Sequence, residues 1–368
     1  MIHLSNNYIS SKVHSELIKQ LALQNGSQQV IVPIRTDRDF GKNLINDDRV
    51  HIDYIRFNSG LIRYFPMFKI LRVFTRCLGS LFRAYELEAG QGKVLALAHN
   101  LWSDGMVLFL FSFVRPLQFV LVCRNTDINI FLPRLIQYHW LLRWAIARSR
   151  GLVFVSMAHR IRFETNWPKL FKAAHQVSVI PNGIDSFWLN NQCIGNNTRP
   201  FQCCFVGRFD HNKNLKRLIR ASTRIAKKHK GFRLVLIGGD EIELTQVLGE
   251  DKIPSFVTVK GKIDDKWNLK SVYSQSRVLA MPSLTETFGL VYIEALSQGC
   301  ALLCSRNEGV DGYFDAEICQ SVNPYSVDDI YDKLLSLMQR NNLGLNIDNK
   351  LDQFNWADIS NKYMGIFR

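Results

Sequence analysis

Several features that would place this chain in a specialised class are missing from its sequence. The eight cysteines include no CxxC pair and no His/Cys cluster with zinc-finger spacing, so neither a structural zinc site nor a disulfide framework is expected. The most apolar stretch, residues 106–123, is interrupted by Arg115 and Pro116, which leaves each half too short to span a bilayer of roughly 30 Å. The first ten residues lack a basic region followed by an apolar run, so no signal peptide is predicted. These absences favour a cytoplasmic protein with reduced, buried thiols.

Acidic residues are scarce relative to basic ones. The chain has 46 Lys and Arg against 32 Asp and Glu, a net charge of +14, and residues 1–185 contribute +11 of it. A basic N-terminal half favours an anionic partner, which could be a membrane surface, a phosphorylated lipid or a nucleic acid. No helix-turn-helix, RRM or zinc motif supports the nucleic-acid interpretation, which stays as the alternative from a different functional class.

What the sequence does contain is a regular alternation of strand-like and helix-like runs. Hydrophobic residues make up 47% of the 368 residues and charged residues 21%, a composition typical of a globular protein with a large core. The alternation predicts α/β layers built on parallel sheets. We predict strands at 29–34, 50–57, 93–98, 118–123, 152–155, 177–180, 202–206, 233–237, 256–260, 277–281 and 301–304, and helices that include 215–230 and 290–298.

A domain boundary is visible near the middle of the chain. Pro181-Asn182-Gly183 ends the first half, and a polar, Asn-rich stretch at 190–200 follows without a strand pattern. A chain of this length usually folds as two domains. We therefore predict two Rossmann-like domains, at 1–185 and 186–368, that face each other across a cleft. Ligands of such open sheets bind outside the carboxyl ends of the strands, so the cleft is the expected site.

One candidate phosphate site follows the predicted strand 202–206. Gly207 permits a tight turn there, and Arg208 and Lys213 extend from the loop before the next helix begins. Two cations beside a helix N-terminus are suited to a diphosphate. The same two side chains could also be ordinary solvated loop charges.

A second constellation surrounds the loop that follows the strand 277–281. Glu286 lies in this loop, and Glu294 lies eight positions later in the next helix. Carboxylates suit vicinal hydroxyls because each oxygen can accept hydrogen bonds, and the main-chain N–H groups of Phe288, Gly289 and Leu290 would point at an anion. A sugar and a phosphate could therefore bind at one loop-to-helix junction.

With these motifs in order, residues 199–368 resemble the donor domain of family 4 retaining glycosyltransferases, which have the GT-B fold. The family pattern is a G-R-x4-K stretch followed by E-x7-E, matched here by Gly207, Arg208 and Lys213 and by Glu286 and Glu294. Ile180-Pro181-Asn182-Gly183-Ile184-Asp185 is similar to the family's interdomain segment. Phe354-Asn355-Trp356 resembles the start of its closing helix, so we expect 355–368 to pack back on the N-terminal domain.

The resemblance implies a role for each matched residue. Arg208 and Lys213 would bind the donor's diphosphate, Glu286 the transferred sugar, and Glu294 the ribose. The segment after the third strand of this domain, Gly261-Lys262-Ile263, would meet the base. No metal or other cofactor would be needed, because the cations and helix N–H groups can stabilise the leaving group.

The implied function is retaining transfer from a UDP- or GDP-sugar, bound by the C-terminal domain, to an acceptor bound by the N-terminal domain. The expected acceptor is a bacterial surface glycan, such as O-antigen, capsule or a lipid-linked oligosaccharide. The expected location is the inner face of the cytoplasmic membrane. A GT-B sugar epimerase or phosphorylase is the alternative within the fold.

The N-terminal half resembles the family less closely. Arg124-Asn125-Thr126-Asp127 resembles the R-G-x-D version found in part of the family. Many members carry a histidine where Arg124 stands, so Asp127 or His99 is the candidate for the catalytic contribution of that residue. The first loop, 5–10, lacks the Gly-Gly pair that many members place near the donor phosphates.

Two other motifs have competing interpretations. Asp37-Arg38-Asp39 spells the D-x-D of a different glycosyltransferase fold, but its polar surroundings favour a solvated loop. In residues 61–88, basic side chains including Lys69, Arg72 and Arg76 recur at helical spacing among bulky apolar residues. This pattern fits either a helix lying on anionic lipid or a surface helix packed on the sheet.

Overall fold

The computed structural model describes residues 1–57, 60, 64–90, 92–193, 199–249, 252–340 and 350–368. They form two compact units. Unit 1 comprises Met1–Val155, His159–Gly183 and Trp356–Arg368, and unit 2 comprises Ser156–Ala158 and Ile184–Asn355. Each unit has its own hydrophobic core.

Unit 1 is built on a parallel seven-stranded sheet. In spatial order the strands are β3-β2-β1-β4-β5-β6-β7. Their bounds are β1 Ile2–Leu4, β2 Gln28–Ile34, β3 Val50–Arg56, β4 Leu95–Ala98, β5 Gln118–Cys123, β6 Gly151–Phe154 and β7 Val177–Val179. All six pairings are parallel. Strands such as β5 are almost wholly apolar because helices cover both faces of the sheet.

The helices of the first half of the chain connect these strands. They are α1 Lys12–Asn25, α2 Pro66–Ala89, α3 Ser103–Phe111, α4 Leu132–Arg134, α5 His139–Arg148, α6 Met157–Asn166 and α7 Pro168–Phe171. The core formed by α2, α3 and α5 covers one face of the sheet. A separate core, which includes Leu17 and Leu21 of α1, covers the other face.

The end of the chain completes the second of these cores. Helix α14, Trp356–Gly365, packs on α1 within unit 1. The Ser360 hydroxyl donates to Gln24 Oε1 at 2.5 Å, and Gln24 Nε2 donates to the Ala357 carbonyl at 3.1 Å. The side chains of Ile359 and Tyr363 are buried in the same core as Leu17 and Leu21.

Unit 2 is built on a parallel six-stranded sheet in the order β10-β9-β8-β11-β12-β13. The strands are β8 Gln202–Val206, β9 Arg233–Ile237, β10 Val257–Val259, β11 Val278–Met281, β12 Ala301–Ser305 and β13 Cys319–Val322. The helices are α8 Ser186–Asn190, α9 Leu215–Lys228, α10 Glu241–Leu248, α11 Lys266–Gln275, α12 Leu290–Ser297 and α13 Val327–Gln339. Because the strands are parallel, the loops that follow β8, β9, β10 and β11 all emerge at the same edge.

All eleven predicted strands are present, with ends that shift by at most two residues. The two helices predicted at 215–230 and 290–298 are present as α9 and α12. Two strands, β1 and β13, were not predicted. Among the described residues, no helix is both long enough and apolar enough to cross a membrane.

Helix α2 is amphipathic in an unexpected way. Its buried face is formed by Ile70, Val73, Cys77, Leu81 and Ala84, which pack in the unit 1 core. The large apolar side chains at its start lie on the outside, with 64% of Phe68 and 43% of Leu71 exposed. The helix is therefore packed on the core of unit 1 and also presents an apolar surface. Residues 61–63 of the predicted segment 61–88 lie outside the described residues.

Candidate functional site

Three glycine-containing turns meet at the carboxyl edge of the unit 2 sheet. Gly207 follows β8, Gly238 follows β9 and Gly261 follows β10; the Gly238 N–H donates to the Gly261 carbonyl at 2.8 Å. Gly238 has φ +116°, and a Cβ there would lie 2.4 Å from the Gly207 carbonyl oxygen. Only glycine fits this contact, because a side chain would meet main chain rather than a movable group. The three loops are thereby held close together.

The loop after β8 carries the two predicted cations. Asp210 caps the short helical turn His211–Lys213 by accepting from the Lys213 N–H at 3.0 Å. Arg208 is the more accessible cation, with 87% of its side chain exposed and Asp210 at 3.5 Å. Lys213 is enclosed, with 16% of its side chain exposed.

Lys213 and Glu286 form an ion pair across two loops. The Lys213 Nζ lies 2.6 Å from Glu286 Oε2, and only 14% of the Glu286 side chain is exposed. The other carboxylate oxygen, Oε1, accepts from the Thr287 N–H at 3.1 Å. The residues predicted to bind the diphosphate and the sugar therefore share one contact, which fixes the direction of both side chains.

Asn212 joins the same two loops and was missed by the sequence analysis. Its Oδ1 accepts from the Thr285 N–H at 3.0 Å and from the Thr285 hydroxyl at 2.8 Å, and its Nδ2 donates to the Thr285 carbonyl at 3.0 Å. The Leu284 N–H donates to the Asn212 carbonyl at 2.7 Å. Asn212 thus forms hydrogen bonds with the main chain of both Leu284 and Thr285. These bonds hold the loop that carries Glu286 beside the loop that carries Lys213.

Glu308 is the second residue that sequence reasoning missed. It is buried, and its Oε2 accepts from the Glu286 N–H at 2.8 Å. The following Gly309 N–H donates to the Glu286 carbonyl at 3.2 Å. The only signal in the sequence was a charged residue soon after a buried strand, since Glu308 follows β12.

The predicted anion-binding main chain lies at the start of α12. Among the described residues, the N–H groups of Phe288, Gly289 and Leu290 have no hydrogen-bond acceptor. Gly289 adopts φ +77°, and a Cβ there would lie 2.7 Å from the Tyr292 ring. The Phe288 side chain is wholly buried in the unit 2 core, so only its main chain can contact a ligand.

Glu294 lies in the second turn of α12. The pKa of this carboxyl is raised to about 7, mainly by burial and also by the nearby Asp185, while Tyr273 and Lys266 oppose the shift. The Tyr273 hydroxyl donates to Glu294 Oε2 at a long 3.4 Å. The carboxyl therefore has spare acceptor capacity, and its charge state changes near neutral pH.

The loop after β10 borders a groove in unit 2. Lys262 and Ile263 line this groove, which has a volume of about 620 Å³ and extends along β10 and α11. Ile263 is half-buried, and Lys262 pairs with Asp264 at 3.0 Å on the surface.

In unit 1, Asp127 is fully buried and its oxygens are occupied. Oδ2 accepts from the N–H groups of Leu101 and Arg124, and Oδ1 accepts from that of Trp102, all at 3.0 Å. Burial raises the pKa of Asp127 to about 6, against these bonds. The Arg124 Nε donates to the His99 carbonyl at 2.8 Å. In this geometry the Asp127 carboxylate ties two loops together inside the unit, and its catalytic contribution stays a prediction.

His99 is also fully buried, in a chain of three histidines. Gln28 Nε2 donates to the Gly26 carbonyl, so its Oε1 accepts from His3 Nε2 at 2.9 Å. His3 Nδ1 then accepts from His99 Nε2 at 3.2 Å, and His99 Nδ1 accepts from His14 Nδ1 at 2.9 Å. Each ring therefore carries one proton, and burial lowers the pKa of all three. In this structure His99 has an internal position and two histidine partners, and its sugar contact or acid/base role stays a prediction.

The D-x-D sequence lies in a short helical turn on the surface. Asp39 pairs with Lys42 at 2.8 Å, and Asp37 pairs with Arg56 at 2.7 Å. Across the part of the chain that the structure describes, no group of three or more His, Cys, Asp or Glu side chains is arranged to hold a metal ion.

Comparison with known proteins finds relatives of the part of the chain that carries this site. Residues 187–353 match the family model described as glycosyl transferases group 1. A D-inositol 3-phosphate glycosyltransferase from Corynebacterium kroppenstedtii is 28% identical over 188 residues, which are 44% of this chain and 39% of that protein. The chain spans about half or less of the length of such curated relatives.

Solved structures resemble the whole chain. Sucrose-phosphate synthase from Thermosynechococcus elongatus superposes with a TM-score of 0.71 at 20% identity, over 100% of this chain and 98% of that one. A trehalose-6-phosphate protein from E. coli, bound with UDP-2-fluoro glucose, gives a TM-score of 0.69 at 13% identity, over 99% and 98%. At these identities the likeness shows the fold, and the predicted pair of Rossmann-like domains of GT-B type is confirmed.

Proposed function

Because residues 187–353 match the family model of glycosyl transferases group 1, we propose that the protein is a glycosyltransferase that takes a sugar from a UDP- or GDP-sugar. The observation that carries the proposal is the ion pair between Lys213 and Glu286, held at 2.6 Å beside the start of α12. A cation, a carboxylate and three main-chain N–H groups meet there. This set of groups complements a sugar diphosphate, which combines hydroxyls with negative charge.

Arg208 and Lys213 would hold the diphosphate of the donor. When the bond between the anomeric carbon and the diphosphate oxygen breaks, negative charge accumulates on the departing nucleoside diphosphate. Cations and N–H groups already in position stabilise that charge without reorganising. Lys213 would keep its contact with Glu286 in this arrangement, since a lysine ammonium can donate three hydrogen bonds.

The two glutamates would divide the donor between them. Glu286 would accept from hydroxyls of the transferred sugar, and Glu294 would accept from the ribose hydroxyls. The main chain at 261–263 would contact the base. The available acceptor capacity of Glu294 and the half-buried Ile263 support these assignments.

We further propose that transfer retains the anomeric configuration and needs no metal. Support comes from the family resemblance and from the cations at the diphosphate position. The alternatives within this fold, an epimerase and a phosphorylase, would release different products. NMR analysis of the product would reveal the anomeric configuration and would also detect epimerised donor or a sugar phosphate.

The proposed acceptor is a bacterial surface glycan carried on a lipid, used at the inner face of the plasma membrane. Support comes from the +11 charge of residues 1–185 and from the exposed apolar side chains at the start of α2. Peripheral binding of this kind combines buried apolar area with attraction to anionic lipid.

Isothermal titration with a panel of UDP- and GDP-sugars tests donor binding. We expect one donor to bind, and Lys213→Ala to weaken it roughly tenfold or more, as for loss of one charged hydrogen bond. Lys227→Ala is the matched control, because Lys227 is exposed near the far end of α9. A wild-type protein that binds no nucleotide sugar, or a Lys213→Ala variant that binds as well as wild type, would contradict the proposal.

A further inference from the structure

Unit 1 contains a cavity of about 330 Å³ at the carboxyl edge of its sheet. Asn6 reaches it from the loop after β1, Trp102 from the loop after β4, Ser103 from the start of α3, and Phe131 from the segment after β5. The start of α2 closes the remaining side. Ligands of parallel sheets bind at this edge, and the volume is at the small end of the range for ligand pockets.

The cavity combines an apolar wall with two cations. Trp102, Ile70 and Phe131 form the wall, and Lys69 and Arg134 are the cations. Neither cation makes an ion pair within the described residues. Lys69 is half-buried, and this burial lowers its pKa, which an anionic ligand would reverse. The cavity is therefore suited to an anion attached to an apolar body.

Large apolar side chains are exposed close in sequence to the residues that line this cavity. Tyr64, Phe65 and Phe68 lie at the start of α2, with 58–64% of each exposed. Ile136 and Trp140 lie beyond α4, with 66% and 61% exposed. Exposed aromatic clusters of this kind mark interaction surfaces, and aromatic rings among cations are typical of proteins at the membrane–water interface.

We propose that this cavity receives the phosphate of a lipid headgroup while the exposed aromatic side chains at the start of α2 and in α5 enter the interface of an anionic bilayer. Charge complementarity supports this occupant, since Lys69 and Arg134 lie in the cavity and Arg72 and Arg143 lie on the same two segments that carry the aromatic residues. The bound lipid would be the phosphorylated carrier of the acceptor. That identification rests on the proposed glycosyltransferase function, whereas the binding site itself does not.

Vesicle flotation tests the proposal. Phosphatidylcholine vesicles would carry either phosphatidic acid, which has a terminal phosphate, or phosphatidylglycerol, which has an anionic phosphodiester. We expect the wild-type protein to prefer phosphatidic acid, and the Lys69→Gln/Arg134→Gln double variant to bind it roughly 30-fold more weakly, as for loss of two cations at a lipid surface. The double variant Phe68→Ser/Trp140→Ser should lose affinity for both vesicle types.

Controls separate this site from general attraction and from the donor site. Lys172→Glu reverses a charge in the loop before β7, at the opposite edge of the same sheet, and should bind vesicles as the wild type does. All variants should keep donor binding, so absence of donor binding in the wild type would count against the proposed function alone. Unchanged binding of either double variant would overturn the proposal. It would also be overturned if inorganic phosphate, at the concentration of the lipid phosphate, displaced the protein from the vesicles completely.

Discussion

Replacing each of the two glutamates by glutamine should damage catalysis in different ways. Glu286 would contact the sugar whose charge changes during transfer, so its contribution should be largest in the transition state. Glu294 would contact the ribose, which does not change, so its contribution should be uniform binding. Glutamine keeps the size of each side chain, removes its charge and replaces one acceptor oxygen by an amide donor.

The structure sets the scale of the Glu286→Gln effect. At 2.6 Å the Coulomb interaction with Lys213 is about 6 kcal/mol for an effective dielectric constant of about 20, and most of it offsets desolvation. The net value of such a charged hydrogen bond is about 1.5–3 kcal/mol. Loss of one preorganised group of about 3 kcal/mol lowers kcat roughly a hundredfold. Glu294→Gln should instead raise the donor KM about tenfold, for a loss of about 1.5 kcal/mol.

Steady-state kinetics with the donor concentration varied separates the two effects. Glu241→Gln is the matched control, because Glu241 is exposed at the start of α10 and should leave both constants unchanged. A Lys213→Ala/Glu286→Gln double variant should lose less activity than the sum of its single variants, since both remove the same contact. If Glu286→Gln retained the full kcat, the assignment of this loop to the reacting sugar would be wrong.

Four further outcomes are expected. Transfer should survive EDTA, and activity lost to EDTA but restored by manganese or magnesium would refute the metal-free mechanism. Because the Glu294 carboxyl has a pKa of about 7 and binds hydroxyls best when ionised, the donor KM should rise up to roughly tenfold per pH unit as pH falls below 7, and Glu294→Gln should abolish this dependence. Burial holds the pKa of His14 well below its usual value, so as pH falls below about 6.5 the unfolded chain binds a proton at this residue and the folded chain does not. The free energy of unfolding of the wild type should therefore fall with decreasing pH, by up to about 1.4 kcal/mol per pH unit from this residue. Urea unfolding of His14→Gln should show a loss of stability in acid that is smaller by that amount. Finally, the triple variant Lys69→Glu/Arg72→Glu/Arg76→Glu should no longer sediment with anionic vesicles, and unchanged sedimentation would show that α2 is only a packed surface helix.

The fold could be predicted where the sequence shows long apolar runs. Strands such as β5 and β8 are buried on both faces, so their residues are nearly all apolar and their ends are sharp. The missed strands lack this signal. β1 has three residues, and one of them is His3, while β13 carries Gln320 and Ser321 at the edge of its sheet. β1 nevertheless lies in the centre of the sheet, where it forms parallel hydrogen-bonded pairs with β2 on one side and β4 on the other. Its own composition does not indicate this pairing.

The candidate site was predictable as a set of residues but not as a set of contacts. Strand-end spacing identified Lys213 and Glu286, yet 73 positions separate them, and no local pattern indicates that they touch. The same holds for Glu308, whose bond to the Glu286 main chain depends on the adjacent placement of β11 and β12. The burial of Asp127 also arises from long-range packing, since its partners Leu101 and Trp102 belong to another loop.

The placement of α14 in unit 1 also affects how the protein can be made. All seven strands of unit 1 have left the ribosome once Val179 has emerged, but α14 begins only at Trp356. At about 5–20 residues per second, the intervening stretch takes on the order of ten to thirty seconds to synthesise. During that time Leu17 and Leu21 lack the covering contacts of Ile359 and Tyr363. Until unit 2 has been translated, unit 1 therefore lacks α14. During this time one face of its sheet is incompletely covered and accessible to chaperones, while unit 2 is already able to fold.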